Sequence, residues 1–137
     1  MAFVFKDNRP RGFRNKNPGN IKYNASNDWV GQIGQDSKGF VIFESFEFGI
    51  RAIGKVLDTK ALRGLTSIGQ IIPDYAPAED ANDVDAYIQS VENSTGIHRD
   101  TPLSRLDYPN FIAAIILHEN GEQPFTKQFV VGALSIA

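Results

Sequence analysis

The helix expected over residues 109–119 has no polar face as far as Ile116, because Phe111, Ile112, Ala113, Ala114, Ile115 and Ile116 follow one another without a break. A helix apolar on every side has to be enclosed by other elements, whereas a surface helix needs only one apolar stripe. The chain is therefore expected to be a small helical domain assembled around this segment.

That helix ends on Glu119, followed at once by Asn120 and Gly121. A carboxylate is costly to bury and is disfavoured at the negative end of a helix dipole. Both effects favour the protonated acid, which suits a group that must hand a proton to a leaving oxygen. Glycoside cleavage needs one such acid. A solvated glutamate before a glycine C-cap would look the same locally, so the rest of the chain has to decide.

Length and composition set the remaining bounds. With 137 residues, 42% of them hydrophobic and 22% charged, the chain fits a single domain over residues 1–137 able to bury a sizeable core. The net charge of −2 argues against nucleic acid as a partner. Charge is uneven: Lys6, Arg9, Arg11, Arg14, Lys16 and Lys22 crowd the start, and Glu79, Asp80, Asp83 and Asp85 form an acidic patch. The absence of cysteine excludes a thiol nucleophile and a cysteine-based zinc site. Only His98 and His118 are present, so no metal site and no cofactor are expected. The N-terminal apolar run is too short for a signal peptide, and the run from Phe129 onward is too short for membrane insertion.

Residues 8–27, rich in Asn, Gly, Pro and Arg, read as ordered loop. Residues 29–34 and 40–43 flank a turn-rich stretch and predict a β-hairpin. Ser45 is a plausible N-cap for an amphipathic helix with Phe46, Ile50, Ile53 and Leu57, running to about Leu62 and stopped by Gly64. Thr66 can cap a short helix that Pro73 ends. Asn82 or Asp83 can start another, with Val84, Tyr87, Ile88 and Val91 on one face and Gly96 near its end.

The string Arg14-Asn15-Lys16-Asn17-Pro18-Gly19-Asn20-Ile21 is the second informative feature. With Trp29, Gly31 and Gln32, then Gly39 to Phe43, Tyr75-Ala76-Pro77 and Glu119-Asn120-Gly121, it resembles a family of small phage and prophage proteins related to lysozyme-like peptidoglycan hydrolases. The resemblance covers nearly the whole chain. In the usual lysozyme-like order the helix ending on the catalytic Glu comes first, and the hairpin and substrate loops follow. Here that order is reversed, so the resemblance implies a circularly permuted lysozyme-like fold, mainly α with one hairpin, in which chain start and chain end lie close together.

The resemblance implies cleavage of the β-1,4 bond between N-acetylmuramic acid and N-acetylglucosamine, with Glu119 as general acid/base. Asn17, Asn20, Tyr23, Trp29, Gln32 and Tyr75 are the residues expected to bind the glycan, although the asparagines would equally serve to shape a loop and the aromatics to finish a core. A muramidase needs a second carboxylate, for which Asp36 and Glu44 are the candidates, with Glu47 behind them. A lytic transglycosylase needs only the one acid, since the muramyl 6-hydroxyl attacks within the substrate to give a 1,6-anhydro end. No second carboxylate stands out, which tilts the reading toward the latter.

The expected partner is bacterial peptidoglycan, with other virion proteins as further contacts, for a monomer located in a phage virion or in host cytoplasm before release to the wall. A non-catalytic virion structural or glycan-binding protein of the same fold is the alternative.

Overall fold

The computed structural model describes residues 8–137, and its architecture follows from the apolar helix. That helix, α5 (Tyr108–Asn120), buries Tyr108, Phe111, Ile112, Ala114, Ile115 and Ile116. It is enclosed by α4 (Val84–Thr95), α6 (Lys127–Leu134), α1 (Arg11–Arg14) and α2 (Phe46–Leu62). Gly121 closes it in the left-handed region at φ 79°, the usual C-terminal stop. The chain is mainly α, with a central apolar helix and one short hairpin.

Helix α2 starts where Ser45 caps it by accepting from the Phe48 amide, and it buries Ile50, Ile53 and Leu57 on the face turned to the core. Helix α3 (Ile68–Tyr75) differs from expectation at both ends. Its cap is Ser67, paired with Gln70 in a capping box, one residue beyond Thr66. Pro73 lies inside the helix and does not end it. Proline removes a single donor, and the final turn is kept by the bond from Ala76 N to Ile72 O at 2.8 Å and by complete burial of Ile72. Asp83 caps α4 through the Ala86 amide, and Gly96 stops it.

Two helices were not legible as such. The stretch 8–27 is loop except for α1, a single turn that exists because Phe13 is buried edge-on against Phe46 and Phe125. Helix α6 sits in the apolar C-terminal run, capped by Thr126 and packed on α2. The expected meeting of the two chain ends concerns residues 1–7 on one side and so lies outside the described residues.

Strands β1 (Gln32–Gln35) and β2 (Val41–Phe43) pair antiparallel, Gln32 with Phe43 and Gln35 with Val41, with a register shift between Gln32 and Gly34. Val41 and Phe43 bury into a small second cluster with Ala52, against which Trp29 packs. Among the described residues no helix is long and apolar enough to cross a membrane.

Candidate functional site

The loop of residues 15–21 is built by its own asparagines. Asn17, fully buried, accepts from the Ile21 amide and donates to the carbonyls of Ile21 and Val41, both at 2.9 Å, standing in for a rung of backbone pairing. Asn15 donates to Asp36 at 2.9 Å and ties the loop to the hairpin turn. Asn20 takes φ 51°, a left-handed conformation that asparagine tolerates better than most residues.

Three consecutive residues of this loop are then fastened to the helices. Asn120, buried at the end of α5, donates to Pro18 O at 2.8 Å. The Tyr75 hydroxyl, at the end of α3, donates to Gly19 O at 2.5 Å. Asn20 donates to Glu119 Oε1 at 2.9 Å. Gly19 is required by this close approach, since a Cβ there would lie 2.4 Å from the Tyr75 hydroxyl oxygen.

Glu119 is half-buried, and its second oxygen is also engaged: Tyr87 on α4 donates to Oε2 at 2.8 Å. His118 stacks on the Tyr87 ring at 3.8 Å between centroids. Burial pushes the Tyr87 phenol well above its usual 10.0, and the charge of Glu119 adds to it. The Tyr75 phenol is pushed up by the same two causes in the same order. Both phenols therefore stay protonated as donors.

The Glu119 carboxylate opens on a cleft of about 540 Å³. The loop and hairpin side contributes Arg11, Asn20, Lys22 and Phe40; the facing elements contribute Lys60, Asp74, Tyr75 and Asp80. Asp74 is ion-paired with Lys60 and with Arg63 at 3.0 Å. Those hydrogen bonds hold its carboxyl below the usual 3.8 in spite of burial. Asp80 is ion-paired with Lys22 at 2.8 Å.

Of the residues expected to bind substrate, Asn20 and Tyr75 line this cleft with Glu119, and the others do not. Asn17 has its amide spent on backbone and no exposed surface. Trp29 packs into the hairpin cluster, where burying its ring is worth more than exposing it. Gln32 accepts from the Trp29 amide at 3.4 Å within the same hairpin. Tyr23, 39% exposed, belongs to the loop beyond the cleft.

Neither candidate for a second carboxylate lines the cleft. Asp36 is a turn latch: its carboxylate accepts from the amides of Lys38 and Phe40 and from Asn15. Burial alone would raise its carboxyl, but these hydrogen bonds and the charge of Arg11 hold it below the usual value. Glu44 is exposed just past β2 and does not line the cleft.

Sequence reasoning missed Tyr87, Lys60, Asp74 and Asp80 as parts of the site. Tyr87 carried a signal, because a tyrosine on the apolar face of a helix needs a hydrogen-bond partner once buried. The ion pairs carried none, since their partners come from other elements. Among the described residues no group of three or more His, Asp and Glu side chains gathers to hold a metal.

The chain is similar to Protein P5 of Pseudoalteromonas phage PM2, with 42% identity over 120 residues that span 85% of this chain and 74% of that protein. No family model matches the sequence.

Proposed function

From the premise that the chain belongs to the family of Protein P5 of Pseudoalteromonas phage PM2, a bacteriophage protein, we propose that it cleaves the glycan strands of bacterial peptidoglycan, with Glu119 as general acid/base. The observation that carries this reading is the position of Glu119: a helix-end carboxylate in the wall of a cleft, fixed by one donor on each oxygen, beside a loop rich in amides. An acid that must reach a glycosidic oxygen works only when its geometry is held in advance. The segment order and the resemblance of the loop to lysozyme-like phage proteins support the same reading, as a permuted version of that fold.

Lytic transglycosylation is the form of the reaction that the cleft supports best. Its other two carboxylates, Asp74 and Asp80, are each neutralised by a lysine, which leaves Glu119 as the one carboxylate without an ion pair. Muropeptides released from purified walls decide the matter by mass spectrometry. Anhydro-muramyl ends are expected; reducing muramic ends would make the protein a muramidase instead.

The tie from Asn20 through Glu119 to Tyr87 would also serve a virion protein that only holds its fold or binds glycan. Glu119→Gln separates the two readings. An enzyme loses wall clearing while keeping its melting temperature and its binding to walls; a non-catalytic protein has no clearing to lose. In either case the protein acts in a virion or at the host wall.

A further inference from the structure

The cations of the Glu119 cleft are not equivalent. Lys22 is spent on Asp80, and Lys60 is spent on Asp74. Arg11 lies over the Phe40 ring, 4.5 Å from its centroid, with Nε 3.6 Å from Asp36 Oδ2. That separation is too long for a hydrogen bond, and Oδ2 already accepts from Asn15 at 2.9 Å. Among the described residues Arg11 donates no hydrogen bond, although its side chain is only 31% exposed and lines the cleft. The ring beneath and the carboxylate beside it restrict where the guanidinium can go, so little freedom remains to be lost on binding. Arg11 thus shares its charge with Asp36 in an ion pair but keeps its N–H donors unspent, and an oriented guanidinium of that kind is suited to a carboxylate, which it can take through two parallel N–H bonds.

We infer that Arg11 is the anion-recognition residue of this cleft, and that the site prefers an aminosugar glycan carrying carboxylates over a neutral one. The inference rests on the glycan-cleaving reading and names a substrate feature within it. In wall glycan the carboxylates sit on the lactyl ether where no peptide is attached, and on the peptide where one is joined to the lactyl carboxyl as an amide. Arg11 then acts in binding, as a determinant of specificity, while proton transfer stays with Glu119.

The test compares three probes for binding to the Glu119→Gln protein: solubilised peptidoglycan glycan, the same glycan with its carboxylates amidated, and a chito-oligosaccharide of matched length. The carboxylate-bearing glycan is expected to bind about tenfold more tightly than either neutral probe, the scale of one hydrogen-bonded charged contact. Adding Arg11→Gln should abolish most of that ratio, and Arg11→Lys should keep part of it. Equal weakening of all three probes in Arg11→Gln would mean a structural role and overturn the inference, as would an undiminished ratio. Should the Arg11 variants fail to fold, the amidated probe decides by itself, because a preference that survives amidation cannot come from a carboxylate. Absence of wall cleavage by the unsubstituted protein would sink the enzymatic reading instead, and these binding ratios would still be read.

Discussion

Asn120 and Pro18 lie 102 positions apart, yet the Asn120 side chain donates to the Pro18 carbonyl at 2.8 Å. The same amide also donates to Ile116 O at 3.0 Å, so a single buried side chain finishes the central helix and anchors the loop that faces Glu119. Asn120→Leu should cost about 1–3 kcal/mol, the range for a buried carbonyl left without its donor. Chemical denaturation measures the loss. Asn120→Asp should be no better, since a carboxylate offers only acceptors to Pro18 O.

Removing the Tyr87 hydroxyl tests how Glu119 is held. Tyr87→Phe keeps the ring, its burial and its stack on His118, and deletes only the donor to Oε2. On the glycan-cleaving reading, turnover on purified walls should fall by roughly tenfold to a hundredfold, the usual scale for losing a group that positions catalysis. KM should change little. A rise in KM with unchanged turnover would place Tyr87 in substrate binding.

The Gly19–Tyr75 approach predicts an uncoupling of stability from activity. Gly19→Ala puts a methyl into the Tyr75 hydroxyl and onto Ile53, so the Tyr75–Gly19 bond has to give way and the loop that presents Asn20 to Glu119 loses a fastening. On the glycan-cleaving reading, activity should drop well beyond what the melting temperature suggests. Ile53→Ala, by contrast, empties a fully buried site beneath that glycine and should cost about 2–5 kcal/mol. An unchanged melting temperature in Ile53→Ala would contradict the packing described.

Alkaline pH should act through the tyrosines. Tyr75, Tyr87 and Tyr108 are all pushed above the usual 10.0, chiefly by burial. A group whose folded value is raised binds its proton more tightly in the native state. Its stabilising effect is complete below the unfolded value and is lost as pH climbs above it. Stability should therefore decline from about pH 10 upward. Phenolate absorbance from these residues should appear together with loss of helical circular dichroism. Phenolate formation in a fully folded protein would show that the rings are accessible.

Where the sequence and the structure part company, the cause is physical. Helix α2 was legible from Ser45 to Gly64 because cap, stripe and stop are all local signals. The central helix was legible for the opposite reason, having no stripe at all. Pro73 misled because the local Ala76–Ile72 bond survives the loss of one donor, and the complete burial of Ile72 that holds that turn in place is a tertiary property. At the site, the resemblance pointed to Glu119, Asn20 and Tyr75, which line one cleft, and equally to Trp29 and Asn17, which do not. An aromatic or an amide looks the same in sequence whether it faces sugar or core. Burial decides between them, and burial is a tertiary property.

The fastening of Glu119 also has a kinetic side. Its two donors come from 99 and 32 positions away, so neither contact can form until distant parts of the chain have closed on each other. Closing long loops uses up chain entropy before any contact repays it, and structure that depends on such contacts forms late. A partly folded or nicked chain could thus present a helical signal and an apolar core while its acid stays misaligned. On the glycan-cleaving reading, recovery of activity on refolding should lag behind recovery of helix, which would make activity the stricter indicator of a finished molecule.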